Sequence, residues 1–461
     1  MGKGKQVELP LSLRFLGGVG TVTGSKFLLK SHDIALLVDC GLFQGYKQLR
    51  LRNWAPFLVR PGDIDTVVLT HAHLDHSGYL PLLVKQGFKG RVLSTPATSD
   101  LCGILLRDCA HLFEKDAEFA NRQGYSKHKP ALPLYTVDDA EKSLTRFTEI
   151  GFNTEHKLGD AASVFFQPAG HILGAAVVRV NIEGQSIVFS GDLGRANGPV
   201  MPDPATIEAA DYLVVESTYG DRLHDPADAE DPLADIITKT AQRGGTVIVP
   251  AFAVGRTQLL LYYLSRLKAK KRIPELPIFL DSPMAQNATE IFARHKADHK
   301  LSDDACAAAC SVAHFVRDPE ESKALDENPM PKVIVSASGM ATGGRILHHL
   351  RSYAPDPRNT ILFTGFQAGG TRGHAMMQGA ASVKIHGRHI PIRADVKSLD
   401  MLSAHADADG ILDWLGQFRE APKTTFIAHG EPGASDALRL RIQEELGWNC
   451  HVPEQGEEIA L

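Results

Sequence analysis

This chain is short of several things, and each shortage removes a class of protein. Its 461 residues hold no run of about 18 apolar side chains, so no helix across a bilayer is expected. The first residues, Met1-Gly2-Lys3-Gly4-Lys5-Gln6, lack the apolar stretch of a secretory signal. Gln6 also stands where a myristoylation motif needs Ser or Thr. A cytoplasmic location is therefore expected. Cysteine is sparse: Cys40, Cys102, Cys109, Cys306, Cys310 and Cys450 follow no framework spacing, which reads as reduced thiols. Cys306 and Cys310 stand one helical turn apart, where a metal pair is conceivable, but no matching ligands flank them and core or surface thiols are the favoured reading. Basic excess is missing too. A net charge of −5 argues against indiscriminate polyanion binding, though not against a locally positive cleft. Bases cluster at Lys47-Gln48-Leu49-Arg50-Leu51-Arg52 and at Lys268-Ala269-Lys270-Lys271-Arg272, and the second cluster reads as a solvated helix face. Neither repeats nor low-complexity tracts occur. The remaining composition, 43% hydrophobic and 22% charged, is that of a globular protein too long for one core, so two domains are expected.

What the chain does have is concentrated at strand ends. The apolar run Thr66-Val67-Val68-Leu69-Thr70 leads into His71-Ala72-His73-Leu74-Asp75-His76, three imidazoles and a carboxylate within six residues. These are ligands that zinc prefers, and a strand end holds them on a rigid support. In an extended segment His71 and His73 point the same way and can share one ion, while Asp75 and His76 are displaced toward a second. A polar loop of solvated histidines is the bland reading, and this spacing after a strand makes it a poor one. Other strand-like runs end in donors as well: His171 after Ser163–Phe166, Asp192 after Ser186–Phe189, His429 after Thr424–Ala428 and Asp39 after Ile34–Val38. A lone His at a strand end is usually structural, but five such ends in one chain are not coincidence.

The HxHxDH stretch, the later His171 and Asp192 and the C-terminal His429 together resemble the metallo-β-lactamase superfamily. Glu216-Ser217-Thr218-Tyr219-Gly220, Pro250-Ala251-Phe252-Ala253-Val254-Gly255-Arg256, Asp281-Ser282-Pro283-Met284-Ala285, Ser338-Gly339-Met340-Ala341-Thr342-Gly343-Gly344-Arg345 and Ser403-Ala404-His405 look like its nucleic-acid-processing β-CASP branch. The likeness runs from about Leu13 to about Pro453. It is similar above all to bacterial and archaeal relatives of the endonuclease subunit that cleaves pre-mRNA 3′ ends. The implied fold is α/β, a metallo-β-lactamase αββα sandwich with an inserted parallel-sheet α/β β-CASP domain.

The pattern of elements agrees. Short strands lie at Leu13–Leu16, Lys26–Leu29 and Ile34–Val38, a helical stretch follows from Pro96, and Glu183-Gly184 signals a hairpin between Ala176–Ile182 and Ser186–Phe189. Strands at Tyr212–Val215, Thr246–Val249, Pro277–Leu280, Lys332–Val335 and Thr360–Thr364 alternate with helices, the rhythm of a parallel sheet. Strand patterns return around Val383–Ile392 and Thr424–Ala428. Because His429 must join His71, the last segment has to fold back. The expected division is a first segment over 1–216, an inserted cap over 217–390 and a return segment over 391–461, with no further module after about 453.

The resemblance implies two Zn2+ ions, one held by His71, His73 and His171, the other by Asp75, His76 and His429, with Asp192 bridging. A hydroxide activated by both metals would attack an RNA phosphodiester in the cleft between the domains. Asp39, with no ligand position left, would orient a metal-binding His or water. His405 is the candidate general acid, with Glu216 holding its ring. Asp75 is counted among the catalytic residues as well as the ligands. Glycine-rich turns before helices offer backbone N–H groups to phosphate, which nominates Ser338, Gly343, Gly344, Arg345, Arg256 and Thr371 for substrate binding; tight strand-to-helix turns would need the same glycines. One departure from the family pattern is His374, where Arg often follows the glycine. A His in the HGE segment, here His429, marks the RNA processors of this branch, so single-stranded RNA is the expected partner. A homodimer is a further partner the sequence leaves open, and no membrane partner is expected. The competing readings are a hydrolase of small phosphoesters or thioesters and a non-catalytic RNA-processing scaffold. The inserted domain argues against the first, and the complete ligand set argues against the second.

Overall fold

The computed structural model describes residues 11–124 and 126–461. Two seven-stranded mixed sheets stack face to face. The first runs in the order Glu458–Ala460, Ser12–Gly17, Lys26–Lys30, Ala35–Val38, Thr66–Val68, Arg91–Ser94, Phe147–Glu149. The second runs Cys450–His451, Thr424–Ala428, Tyr212–Glu216, Gln185–Phe189, Ala176–Ile182, Ala162–Pro168, Glu155–Leu158. Their inner faces meet in a core of Leu13, Phe15, Phe27, Leu36, Val68, Val164, Phe166, Val178, Phe189 and Phe426. Phe15 packs on Phe426 with ring centroids 5.3 Å apart, and Phe27 on Phe189 at 6.0 Å. Thr66–Val68 is buried at every position, as suits a β-branched strand paired in parallel on both sides with helices over its outer face. The hairpin at Glu183-Gly184 forms with both residues at positive φ, 51° and 74°, which matches the twist of the two strands it joins.

The chain leaves this sandwich at Glu216 and returns through Thr424–Ala428, which lies beside Tyr212–Glu216 in parallel register, Glu216 opposite Ala428. Between them sits a six-stranded, wholly parallel sheet, ordered His314–Phe315, Ile278–Leu280, Val333–Ser336, Val247–Pro250, Thr360–Phe363, Asp395–Ser398. Separate cores cover its two faces, one around Val247, Val249, Leu261 and Val335, the other around Ile248, Ile334, Leu350 and Phe363. The fold is thus a metallo-β-lactamase sandwich with an inserted α/β domain.

Some elements differ from the sequence reading. The insert's sheet continues past residue 390, because Asp395–Ser398 pairs with Thr360–Phe363. The strand pattern around Val383–Ile392 is present as a separate two-stranded hairpin of Ser382–Ile385 and Arg388–Pro391. Arg91–Ser94, Phe147–Glu149 and Glu155–Leu158 gave no strand signal: they are three or four residues long, and the last two are largely half-exposed. No helix among the described residues is long and apolar enough to cross a membrane.

Candidate active site

Strand Thr66–Val68 delivers Thr70 and the histidine loop to the sheet edge, where Leu74–Ser77 turns into a single helical turn that faces Asp75 and His76 inward. The loop between Ala162–Pro168 and Ala176–Ile182 brings His171. Asp192 follows Gln185–Phe189, and His429 follows Thr424–Ala428. Ligand atoms of His71, His73, His171 and Asp192 lie within 4.8 Å of one another, as do those of Asp75, His76 and His429. Nδ1 of His73 stands 3.1 Å from Nε2 of His71 and 3.2 Å from Nε2 of His171. On the other side Nε2 of His76 and Nε2 of His429 are 3.1 Å apart, with Asp75 Oδ2 3.6 Å from the latter. Asp192 spans the groups: Oδ2 is 3.4 Å from His71 Nε2, and Oδ1 is 3.2 Å from His76 Nε2.

This crowding fits a cation site. Burial, with neighbouring histidines adding to it, holds His71 and His171 well below the usual imidazole range, and burial brings His73 down to about 4. Three rings held neutral therefore converge with their ring nitrogens 3.1 to 3.2 Å apart, an arrangement suited to sharing a cation. Asp192 Oδ1 is buried without a hydrogen bond, which native structures seldom tolerate. Its carboxyl nevertheless stays well below the ordinary range: burial opposes the charge, but His429, His76 and His71 outweigh it. His76 moves the other way. Burial disfavours its charge, while Asp192 and Asp39 raise it well above 6.5.

Asp39 takes its position at φ 58° at the end of Ala35–Val38. Its Oδ2 lies 2.7 Å from His76 Nδ1, and its Oδ1 accepts the backbone N–H of Thr70 at 2.8 Å. The carboxylate thus fixes one ring with Nε2 inward and ties the start of the loop. Sequence reasoning missed Thr70, whose hydroxyl bonds Asp39 and stands 3.1 Å from His71 Nδ1. It also missed Thr218, whose Oγ1 is 3.2 Å from His429 Nδ1. Their places immediately before the histidine motif and within Glu216–Gly220 were the available signals.

Glu216 ends strand Tyr212–Glu216 and reaches His405, whose Nδ1 is 3.1 Å from Oε2 and 3.2 Å from Oε1. The backbone N–H of Leu193, next to Asp192, donates to the same carboxylate at 2.5 Å. The His405 ring lies 4.4 Å from that of His171, centroid to centroid. Its loop is pinned on several sides: Ala406 N–H donates to Leu193 O at 2.8 Å, and His224 Nε2 lies 3.0 Å from His405 O.

The residues nominated for substrate contact divide. Arg256 is buried, its guanidinium lowered to about 10 by burial, and it donates to Leu402 O in the turn that carries His405. Its reach is therefore toward the His405 loop. Arg345 is engaged within the insert, with Nη1 2.6 Å from Asp281 Oδ1 and 3.0 Å from Val316 O, and Nη2 2.8 Å from Arg317 O. Thr371 caps helix Arg372–Met377, accepting from His374 N–H and donating to Ala368 O at 2.7 Å. Ser338 hydrogen-bonds Thr342 Oγ1 at 2.9 Å, and Gly344 turns at φ 76° beside an open Gly343. The structure does not bring Arg345 to the histidine cluster. The insert instead reaches that cluster through Phe252, whose ring is 6.3 Å from His73, and Gly339 lies directly against Phe252.

Comparison with known proteins agrees with this geometry. Family models match in three consecutive parts: the metallo-beta-lactamase superfamily over residues 19–250, a Beta-Casp domain over 257–376, and a Zn-dependent metallo-hydrolase RNA specificity domain over 389–453. The chain is 37% identical over 447 residues to Ribonuclease TTHA0252 of Thermus thermophilus, covering 93% of this chain and 96% of that one. It is 31% identical to Transcription termination factor FttA of Methanosarcina mazei, covering 94% of this chain and 68% of that one. It is 28% identical to an RNase J-like protein of Methanocaldococcus jannaschii, covering 97% and 99%. A crystal structure of a protein of unknown function from Enterococcus faecalis V583 shares the fold at TM-score 0.54 and 15% identity, covering 98% of this chain and all of that one. With its histidine-rich loop, its inserted parallel sheet and its returning strand, the chain belongs to the metallo-beta-lactamase superfamily, in the branch that carries a Beta-Casp domain.

Proposed function

We propose that this protein is a metal-dependent ribonuclease that hydrolyses phosphodiester bonds of single-stranded RNA in the cleft between sandwich and insert. The observation that carries the reading is His405, held by Glu216 at 3.1 Å, with its ring 4.4 Å from that of His171 at the edge of the ligand cluster. That is where a leaving group would depart. His71, His73 and His171 would hold one zinc, Asp75, His76 and His429 a second, and Asp192 would touch both. When bound, the two ions supply an activated water and neutralise charge on the phosphate.

The chain's own residues do the rest. Glu216 accepts from Nδ1–H of His405, so Nε2 is the nitrogen that faces substrate and donates its proton to the departing alkoxide. Leu193 N–H on the same carboxylate keeps Glu216 from swinging away. Asp39 keeps Nδ1 of His76 occupied, which leaves its Nε2 as the ligand atom. Arg256 acts on the turn before His405 through the Leu402 carbonyl, as a positioning residue.

The relatives named ribonuclease and RNase J-like protein support RNA as the substrate. The test is cleavage of end-labelled and internally labelled RNA and matched DNA by wild type and His405→Ala, with bound metal quantified. RNA cleavage lost by about 10²–10⁴-fold in a variant that still holds its metal is the expected result. Metal-loaded wild type that leaves RNA intact but hydrolyses small phosphoesters or thioesters would overturn it.

A further inference from the structure

The first basic cluster of the sequence has no role in the chemistry above. From Cys40 to Gly62 there is no acidic residue, yet the segment carries Lys47, Arg50, Arg52 and Arg60. Lys47, Arg50 and Arg52 lie on helix Lys47–Arg52, none of whose residues is buried. Among the described residues no carboxylate pairs with these three, whereas surface cations elsewhere, such as Arg107, Arg272 and Arg419, each have one. Two aromatic rings flank the helix, Tyr46 at 55% and Trp54 at 59% exposure.

The patch has a fixed place. Tyr46 rests across the turn at Gly369 and Gly370, so closely that a Cβ on Gly369 would lie 2.1 Å from its hydroxyl, which puts the helix at the seam between sandwich and insert. The chain reaches that seam directly from the histidine loop: Cys40 N–H donates to His76 O at 2.7 Å and Leu42 N–H to Leu74 O at 2.8 Å. Asn53 then clamps the segment from beyond the helix, its amide bonding both N–H and C=O of Phe43 at 2.9 and 2.8 Å. An exposed, cationic, aromatic-flanked helix is thereby held at the seam between sandwich and insert.

We propose that helix Lys47–Arg52 and Trp54 form a second subsite for single-stranded RNA outside the catalytic cleft, with Lys47 and Arg50 on phosphates and the Trp54 ring stacking a base. This rests on the RNA reading above. Cations lacking acids on a protein of net charge −5 answer a polyanion, and an aromatic face beside them answers a base of any sequence. A second copy of the chain is a poorer occupant, since a two-fold contact would set the same cations against each other.

The test uses the full metal-loaded protein, an RNA of about 20 nucleotides and a tetranucleotide, bracketing the roughly 4–16 nucleotides that single-strand sites span. Trp54→Ala is expected to weaken binding of the long RNA about tenfold, the loss typical of one stacked base. Lys47→Ala with Arg50→Ala should make the salt dependence of binding shallower by about 1.4 in log–log slope. Both losses should be much smaller on the tetranucleotide. All three side chains are exposed, and unchanged melting temperatures would verify folding. Equal losses at both lengths, or none at either while wild type prefers the longer RNA, would overturn the proposal. A shift in sedimentation with RNA affinity intact would overturn it in favour of self-association. Wild type that binds neither RNA would sink the RNA reading and this one with it, whereas the other outcomes leave that reading standing.

Discussion

Replacing His349 by Gln removes a buried cation from between two carboxylates of the insert. Its Nε2 is 2.7 Å from Asp281 Oδ2 and its Nδ1 2.6 Å from Asp326 Oδ1, with the ring fully buried. Burial by itself would lower its pKa, but hydrogen bonds and charge from Asp281 and Asp326 outweigh that and raise it from 6.5 to about 9. A group whose folded pKa is raised stabilises fully below its unfolded value, and the contribution is lost as pH climbs through the folded value. The window is therefore from 6.5 to about 9. At 1.36 kcal/mol per unit the contribution is about 3 kcal/mol, on the order of a third of a typical domain's stability. Urea unfolding of wild type and His349→Gln between about pH 6 and pH 10 measures it. Wild type should exceed the variant most at the acid end, and the gap should shrink by about 3 kcal/mol toward the alkaline end. A gap that stays constant across that range would refute the reasoning. The consequence reaches the active site, because Arg345, which shares Asp281, ends the loop whose Gly339 lies against Phe252.

Asp39→Asn should lower metal affinity about 10–100-fold, read by chelator competition, since the carboxylate that orients His76 is lost. Glu216→Gln should reduce turnover, and adding it to His405→Ala should cost little beyond His405→Ala alone, because the two act as one unit; additive losses would separate them. Gly41→Ala would place a Cβ 1.5 Å from Asp75 O, so the purified variant should hold less than its full metal complement and melt lower; full metal content would show that the loop can move. Chelation should lower the melting temperature of wild type, the stability lost rising with the logarithm of metal concentration over Kd to about 4 kcal/mol at a thousand times Kd, and a chelated protein with unchanged melting would count against a built metal site.

Much of the site was legible because its donors sit at strand ends, and strand ends follow apolar runs. His71, His73, His171, Asp192 and His429 could each be placed that way, and the structure brings their ligand atoms together. The glycine-rich turns were legible as turns but not as contacts. Arg256 and Arg345 looked alike in sequence, each following a glycine after a strand. One turns to Leu402 O and the other to Asp281, and nothing local distinguishes them. Asp395–Ser398 escaped notice because a mostly half-exposed edge strand of four residues carries little apolar pattern.

The sequence by itself determined the chemistry available: imidazoles and carboxylates at metal-ligand spacing, a parallel α/β rhythm in the middle, and a basic segment empty of acids. Periodicity reports which residues are buried, and strand ends report where donors emerge, so these features are local. Only the tertiary structure decided which nitrogen of each ring faces inward and that Thr70 and Thr218 hold two of the histidines, while the pairing of Glu216 with His405 across 189 positions was already expected from the resemblance. It also decided that the cations of Lys47–Arg52, which have no carboxylate partner among the described residues, stand at the seam beside Gly369 rather than on a remote face. Those outcomes depend on contacts between residues far apart in the chain, where the partner of a charge is chosen by geometry and burial rather than by its neighbours in sequence.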